Sequence, residues 1–232
     1  MDIIISGASR GIGRAIAEEF AKDGHRLFLC ARNFDVLSQT ARDLRTKFPA
    51  AEILVMAVDL SLKDEVNKFV SWCTQNGSPE ILVNNAGAFM PGNISDEPDG
   101  NLESMMLTNL YSAYYLTRGI LPMMKMKRRG HIFNICSVAA LKAYEGGGSY
   151  SISKFALDGF SKNLRYELRT SGIKVTTVFP GAVLTDSWED FDNSGKRIME
   201  SRDVAQMINA ATRLSEQAVV EDIIIRPQLG DL

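Results

Sequence analysis

What most constrains this chain is an alternation, sustained along its length, between short apolar runs rich in β-branched residues and longer stretches of helical period. Runs suited to strands occur at Asp2–Ser6, Arg26–Ala31, 52–58, Ile81–Asn84, 131–136, 174–179 and 219–226. Several are continuously apolar, as parallel strands covered on both faces must be. Helical period marks residues 13–22, 35–47, 62–75, 102–127, 149–170 and 202–214. In 149–170, Ile152, Phe155, Ala156, Phe160, Leu164 and Leu168 are expected to share one broad apolar face. Strand followed by helix, repeatedly, requires right-handed crossovers. The expected class is therefore α/β, a doubly wound, mainly parallel sheet of seven strands with helices on both faces.

The length of 232 residues, 45% of them hydrophobic, suits one core and one domain spanning 1–232. A net charge of -2 with interspersed signs offers no basic face to nucleic acid. Cys30, Cys73 and Cys136 are an odd set without C-x-x-C spacing. Buried thiols in a reducing compartment are the expectation, with no disulfide framework and no metal site. The first apolar run is too short for a signal peptide or a membrane span, which points to a cytoplasmic protein with no membrane partner.

The first strand closes in Ser6-Gly7-Ala8-Ser9-Arg10-Gly11-Ile12-Gly13 and opens a helix. Glycines there permit a sharp turn and let backbone N–H groups approach a pyrophosphate, where the helix N-terminus adds positive potential. An ordinary strand–helix turn is the alternative, but the place of the loop in the first βαβ unit favours a nucleotide. The second strand ends in Ala31-Arg32-Asn33, without the carboxylate that would bond a ribose 2′-hydroxyl. Arg10 and Arg32 instead offer guanidinium forks to a 2′-phosphate, unless both are simply solvated. NADP(H) is thus preferred over NAD(H), which stays the alternative cofactor. Asp59, before Leu60, would meet the adenine amino group or else cap the next helix, a role for which Ser61 competes.

Tyr150 and Lys154 stand four residues apart in a helical stretch and so share a face. A free phenol titrates near ~10, and a neighbouring ammonium lowers that value towards the range a general acid/base needs. The pair alone is a weak signal. Ser137, ending the fifth strand on the same rim as the glycine loop, strengthens it, with a plain turn serine as the alternative.

With these residues in order, the whole chain resembles the short-chain dehydrogenase/reductase family. The match rests on the Gly7/Gly11/Gly13 loop, Asn84-Asn85-Ala86-Gly87, Asn109, Ser137, Tyr150, Lys154 and Pro180-Gly181. The resemblance implies hydride transfer between the nicotinamide and a small carbonyl or alcohol substrate. Tyr150 would be the acid/base and also a cofactor contact, and Ser137 would position the carbonyl oxygen. Lys154 would depress the phenol pKa and bond the nicotinamide ribose. Asn109 would hold a water relaying protons from Lys154, unless it is a helix-interior residue bonding backbone. Asn85, Ala86 and Gly87 would line the adenosine path. Pro180, Gly181, Val183 and Thr185 would cover the nicotinamide, the last two at its carboxamide. A homodimer or homotetramer follows from the same resemblance.

Two departures stand out. Ser6 replaces the usual threonine but keeps a hydroxyl, and the ending in Arg226-Pro227 lacks the Asp-Gly-Gly of many 3-oxoacyl-carrier-protein reductases. That ending is more similar to members acting on hydroxy acids, small ketones or sepiapterin-like carbonyls, and it leaves a 3-oxoacyl-carrier-protein reductase as the weaker alternative among the enzymes. The Pro/Gly/Asn-rich residues 89–100 and the aperiodic residues 181–200 are candidate substrate loops. Phe89, Met90, Tyr144, Trp188 and Phe191 would line an apolar pocket or else serve ordinary packing. The basic run at 125–129 reads as a solvated helix end rather than a docking site for an acidic carrier protein. A sensor of the NADP redox state is the rival outside the enzymes, and the full Asn109/Ser137/Tyr150/Lys154 set argues against it.

Overall fold

In a computed structural model describing residues 1–185, 193, 195 and 197–231, the apolar runs form seven strands. They are β1 (Asp2–Ser6), β2 (Arg26–Ala31), β3 (Glu52–Ala57), β4 (Ile81–Asn84), β5 (Gly130–Ile135), β6 (Ile173–Pro180) and β7 (Asp222–Ile225). Every pairing is parallel, in the order β3-β2-β1-β4-β5-β6-β7. The order reverses between β1 and β4, and a crevice opens there beyond the carboxyl ends of the strands.

The helices are α1 (Gly11–Lys22), α2 (Phe34–Lys47), α3 (Lys63–Asn76), α4 (Asn101–Met106), α5 (Ser112–Lys127), α6 (Gly148–Leu168) and α7 (Ser201–Thr212). The alternation within β1 decides which helices lie on which face. Ile3 and Ile5 pack with Phe20 of α1, Leu37 of α2 and Ile208 of α7. Ile4 packs on the other side with Phe69 of α3, Leu116 of α5 and Leu168 of α6. Each such side chain contributes roughly 1.5–3 kcal/mol by burial, and a one-residue slip of β1 would reverse both sets.

Four details differ from the sequence reading. Residues 102–127 are not one helix: a π-helical turn, Leu107–Tyr111, separates α4 from α5. A π turn holds one extra residue, which apolar periodicity does not register. On α6 the sheet-facing side includes buried Ser153, Lys154 and Ser161 beside Leu157, Leu164 and Leu168, while Ile152 and Phe155 stand 40% and 47% exposed. The polar groups on that face serve the site and its supports, which displaced part of the expected apolar stripe. The last strand begins at Asp222, although the Val220 carbonyl already accepts from Thr176 Oγ at 2.6 Å. Finally, the residue preceding α3 is Leu62, without a side-chain cap, so neither Asp59 nor Ser61 caps that helix.

Candidate active site

The glycine loop is built from below. Ser6, buried at the end of β1, accepts the backbone N–H of Asn85 at 2.9 Å and of Ala86 at 3.0 Å, and donates to Val83 O. Asn85 returns its side-chain amide to the carbonyls of Ser6 and Gly7, both at 3.0 Å. These bonds tie the two strand ends together across the switch point. Gly7 and Gly11 adopt φ of 64° and 54°, which an L side chain resists. A Cβ on Gly13 would collide with the Gly7 carbonyl and Asn85 Nδ2, so Gly13 is required for close packing beneath the loop. Thr40 Oγ1 of α2 anchors the Ser9 carbonyl at 2.8 Å.

A cleft of about 360 Å³ opens above. Of the expected cofactor residues, Gly7, Ser9, Arg10, Ile12, Arg32, Asp59, Leu60, Asn85, Ala86, Gly87 and Thr185 line it. Thr108 lines it too and was not singled out in the sequence, although it adjoins Asn109. The structure fits a dinucleotide phosphate here. The α1 N-terminus has no side-chain cap, leaving its first-turn N–H groups to an anion. A Cβ on Gly11 would fill the gap to Thr185 Cγ2, at 3.1 Å. No acid ends β2, where Asn33 Oδ1 accepts from Val36 N to cap α2. Asp59 Oδ1 is taken by the backbone N–H and hydroxyl of Ser61, and these bonds with Arg32 nearby hold its carboxyl below the usual range against burial.

Gly11, Gly13, Tyr150, Lys154, Pro180, Gly181 and Val183 lie outside that lining. Pro180 ends β6, and the Gly181 N–H donates to Ile225 O at 2.8 Å. Val183 is buried in the core and bridges to Met199. The bridge uses the backbone of Ala182 and Leu184, Val183's neighbours.

The residues expected to transfer a proton, Ser137, Tyr150 and Lys154, gather near the carboxyl end of β5. Ser137 Oγ accepts from Ala139 N at 3.1 Å, capping the short 3₁₀ turn Val138–Ala140, and stands near enough to the Tyr150 phenol to act on its pKa. The hydroxyl is thus both a turn serine and a partner of the phenol. Lys154 Nζ lies 5.8 Å from the Tyr150 ring centroid and donates to Ile135 O at 3.0 Å. A Cβ on Gly87 would lie 3.2 Å from Asn109 Oδ1 and 3.5 Å from Lys154 Nζ, so these three positions converge.

One electrostatic expectation is corrected. The phenol pKa is not depressed: burial pushes it up to about 12, outweighing the Ser137 hydrogen bond that lowers it. Burial likewise lowers that of Lys154. Tyr150 is therefore held protonated at neutral pH.

Asn109 clamps backbone, as its alternative reading had it. Its Oδ1 accepts from Ala88 N at 2.7 Å, and Nδ2 donates to Ala88 O at 3.0 Å and Ser153 Oγ at 2.8 Å. Ser153 Oγ in turn donates to the Tyr150 carbonyl at 2.7 Å. The π turn thus joins the segment after β4 to the first turns of α6.

Phe89 meets Tyr150 edge to face, with centroids 4.8 Å apart, and is 45% exposed; Tyr144 is 46% exposed nearby. Met90 is half-buried, and Trp188 and Phe191 fall outside the described residues. The basic run behaves as a helix end: Arg128 takes a left-handed φ of 50° after α5, while Lys125 and Arg129 pair with Glu167 and Glu80. All three cysteines are buried free thiols. Among the described residues no helix is long and apolar enough to cross a membrane, and no group of His, Cys, Asp or Glu is placed to hold a metal.

Residues 2–195 match the family described as short chain dehydrogenase. A sepiapterin reductase from Chlorobaculum tepidum is 33% identical over 239 residues, covering 99% of this chain and 97% of the relative. A metagenomic short-chain oxidoreductase solved with NADP is 28% identical, with a TM-score of 0.86 over 98% of this chain and 97% of that one. L-sorbose reductase from Gluconobacter frateurii, solved with NADPH and L-sorbose, is 29% identical, with a TM-score of 0.88 over 97% and 94%.

Proposed function

This chain belongs to the short-chain dehydrogenase family, and on that premise we propose that it is an NADP(H)-dependent reductase of a small or medium-sized carbonyl compound. One observation carries the reading: Lys154 Nζ lies beside the Tyr150 ring and reaches towards Gly87, which lines the glycine-loop cleft, with Ser137 next to the phenol at the end of β5. The relatives bearing reductase names, and those solved with NADP or NADPH, support it.

When bound, the dinucleotide supplies or accepts the hydride. The chain's own residues supply position and a proton. Ser137 Oγ donates a hydrogen bond to the substrate carbonyl oxygen. As the carbonyl carbon gains hydride, the Tyr150 hydroxyl gives its proton to that oxygen, and the Lys154 ammonium stabilises the phenolate left behind. The phenol then recovers its proton from solvent. A pKa of about 12 suits the reducing direction, because the resting phenol is in the acid form.

Arg10 and Arg32, both on the cleft wall, would receive the 2′-phosphate. The Asp59 carboxylate beside Arg32 leaves Oδ2 for the adenine amino group. Cofactor and substrate would share one domain in a cytoplasmic protein. The test is NADPH oxidation with a panel of aldehydes, ketones and diketones, beside fluorescence titration of NADPH and NADH. NADPH should bind at least about tenfold more tightly, since a charge-assisted hydrogen bond contributes about 1.5–3 kcal/mol. Arg32→Asp should shift the preference towards NADH. Equal affinities in the wild type would contradict the arginine assignment, and tight NADPH binding without reduction of any panel member would favour a redox sensor.

A further inference from the structure

Residues 89–100 follow β4 as a loop tied to the segment that opens α6. Within 91–100 all residues but Gly92 and Glu97 are exposed. Gly92 N donates to Gly146 O at 3.0 Å, and Asn93 Oδ1 accepts from Gly146 N at 3.0 Å. Glu97 reaches further: Oε1 accepts from the Ser149 hydroxyl, and Oε2 from the Ser149 backbone N–H at 3.3 Å. Gly148, with φ of 29°, passes so close that a Cβ would strike the Gly92 carbonyl and come within 3.0 Å of Glu97 Oε2. The residue preceding α6, Gly147, has no side chain to cap the helix. A carboxylate from a distant segment takes that place, where the helix dipole favours a negative charge.

The next residue along is Tyr150. The same loop begins with Phe89, whose ring stands edge-on to the Tyr150 ring at 4.8 Å. Glu97 therefore holds the backbone of the turn carrying the phenol, and it holds the loop that presses an aromatic ring against that phenol. We propose that Glu97 is a positioning residue: by capping α6 at Ser149 it fixes the Tyr150 hydroxyl against Ser137 and keeps the loop 89–100 closed as the substrate-side wall. The proposal rests on Tyr150 being the proton donor. Glu97 itself transfers no proton.

Misplacing a reacting group by about 1 Å costs up to about 100-fold. Glu97→Ala should lower kcat by about 10- to 100-fold, leaving NADPH affinity by fluorescence unchanged. Glu97→Gln keeps one carbonyl acceptor and should recover a large part of that loss. Ser149→Ala should lower kcat in the wild type but change it less than twofold in the Glu97→Ala background, since the contact is already gone. A solvent deuterium isotope effect on kcat should rise in Glu97→Ala, because a misaligned phenol makes proton transfer more rate-limiting. Melting curves and NADPH titration establish that each variant is folded at the assay temperature. If Glu97→Ala proves unstable, Ser149→Ala carries the same comparison, and wild-type kcat in that variant would overturn the proposal. So would a folded Glu97→Ala protein turning over within twofold of wild type while Tyr150→Phe is inactive. Wild-type turnover in Tyr150→Phe would instead remove the proton donor, and the positioning role with it.

Discussion

Ser6→Ala removes one oxygen and strikes the junction on which the whole site stands. The hydroxyl accepts two backbone N–H groups, from Asn85 at 2.9 Å and Ala86 at 3.0 Å, and donates to Val83 O at 3.3 Å. Alanine leaves both donors without that acceptor at a position only 2% exposed. Each unsatisfied buried donor costs about 1–3 kcal/mol. Partial exposure of the 85–86 segment places the sum towards the lower end, at about 2–4 kcal/mol. For a chain of this size that corresponds to a fall in Tm of roughly 5–15 °C. Because the same bonds hold the floor of the glycine loop, NADPH affinity should fall alongside stability. Urea unfolding followed by circular dichroism gives the free energy, with Ser6→Thr as the variant that retains the hydroxyl. A Ser6→Ala protein unfolding at the wild-type midpoint would refute the tie between β1 and β4.

Other outcomes follow from groups away from the phenol. His131 is buried on β5, bonded to Thr176 Oγ1 at 2.8 Å, and burial, aided by Lys174, lowers its pKa to about 3. The unfolded chain takes up that proton near 6.5 and the folded chain only near 3, so stability is full above about 6.5 and falls as pH drops through this window. At pH 4.5 the loss is about 2–3 kcal/mol, and His131→Gln should flatten it; identical pH dependence in both proteins would count against the buried neutral imidazole. Ile152, Phe155 and Tyr166 stand 40%, 47% and 70% exposed along α6, and we expect an isologous dimer covering them, or a tetramer. Light scattering that gave the mass of one chain at micromolar concentration would exclude it.

Much of this was legible in the chain because the signals were local. A continuous Ile3-Ile4-Ile5 run closing in a glycine loop fixes both the strand and the crevice it feeds, and Tyr150 and Lys154 share a face through helix spacing alone. What escaped was carried by contacts between distant segments. The π turn at Leu107–Tyr111 shifts one residue to bring Asn109 to Ala88, and periodicity averages over such a shift. Glu97 looks like one more polar loop residue until folding brings it to Ser149, 52 positions away. The raised pKa of Tyr150 depends on burial, which sequence spacing does not display. The face of α6 misled for a related reason: Ser153 and Lys154 turn inwards to serve the site, and apolar Ile152 and Phe155 are left outside.

The central claim is that Tyr150 gives its proton to the substrate oxygen. Tyr150→Phe keeps the ring, and with it the edge-to-face contact with Phe89, and removes the hydroxyl that carries the transferable proton. The measurement is NADPH oxidation with an active carbonyl substrate, paired with direct NADPH titration of the same variant. General acid catalysis contributes about 10²–10⁴-fold, so turnover should fall by at least about 100-fold while NADPH affinity stays at the wild-type value. Near-wild-type turnover in Tyr150→Phe would contradict the account.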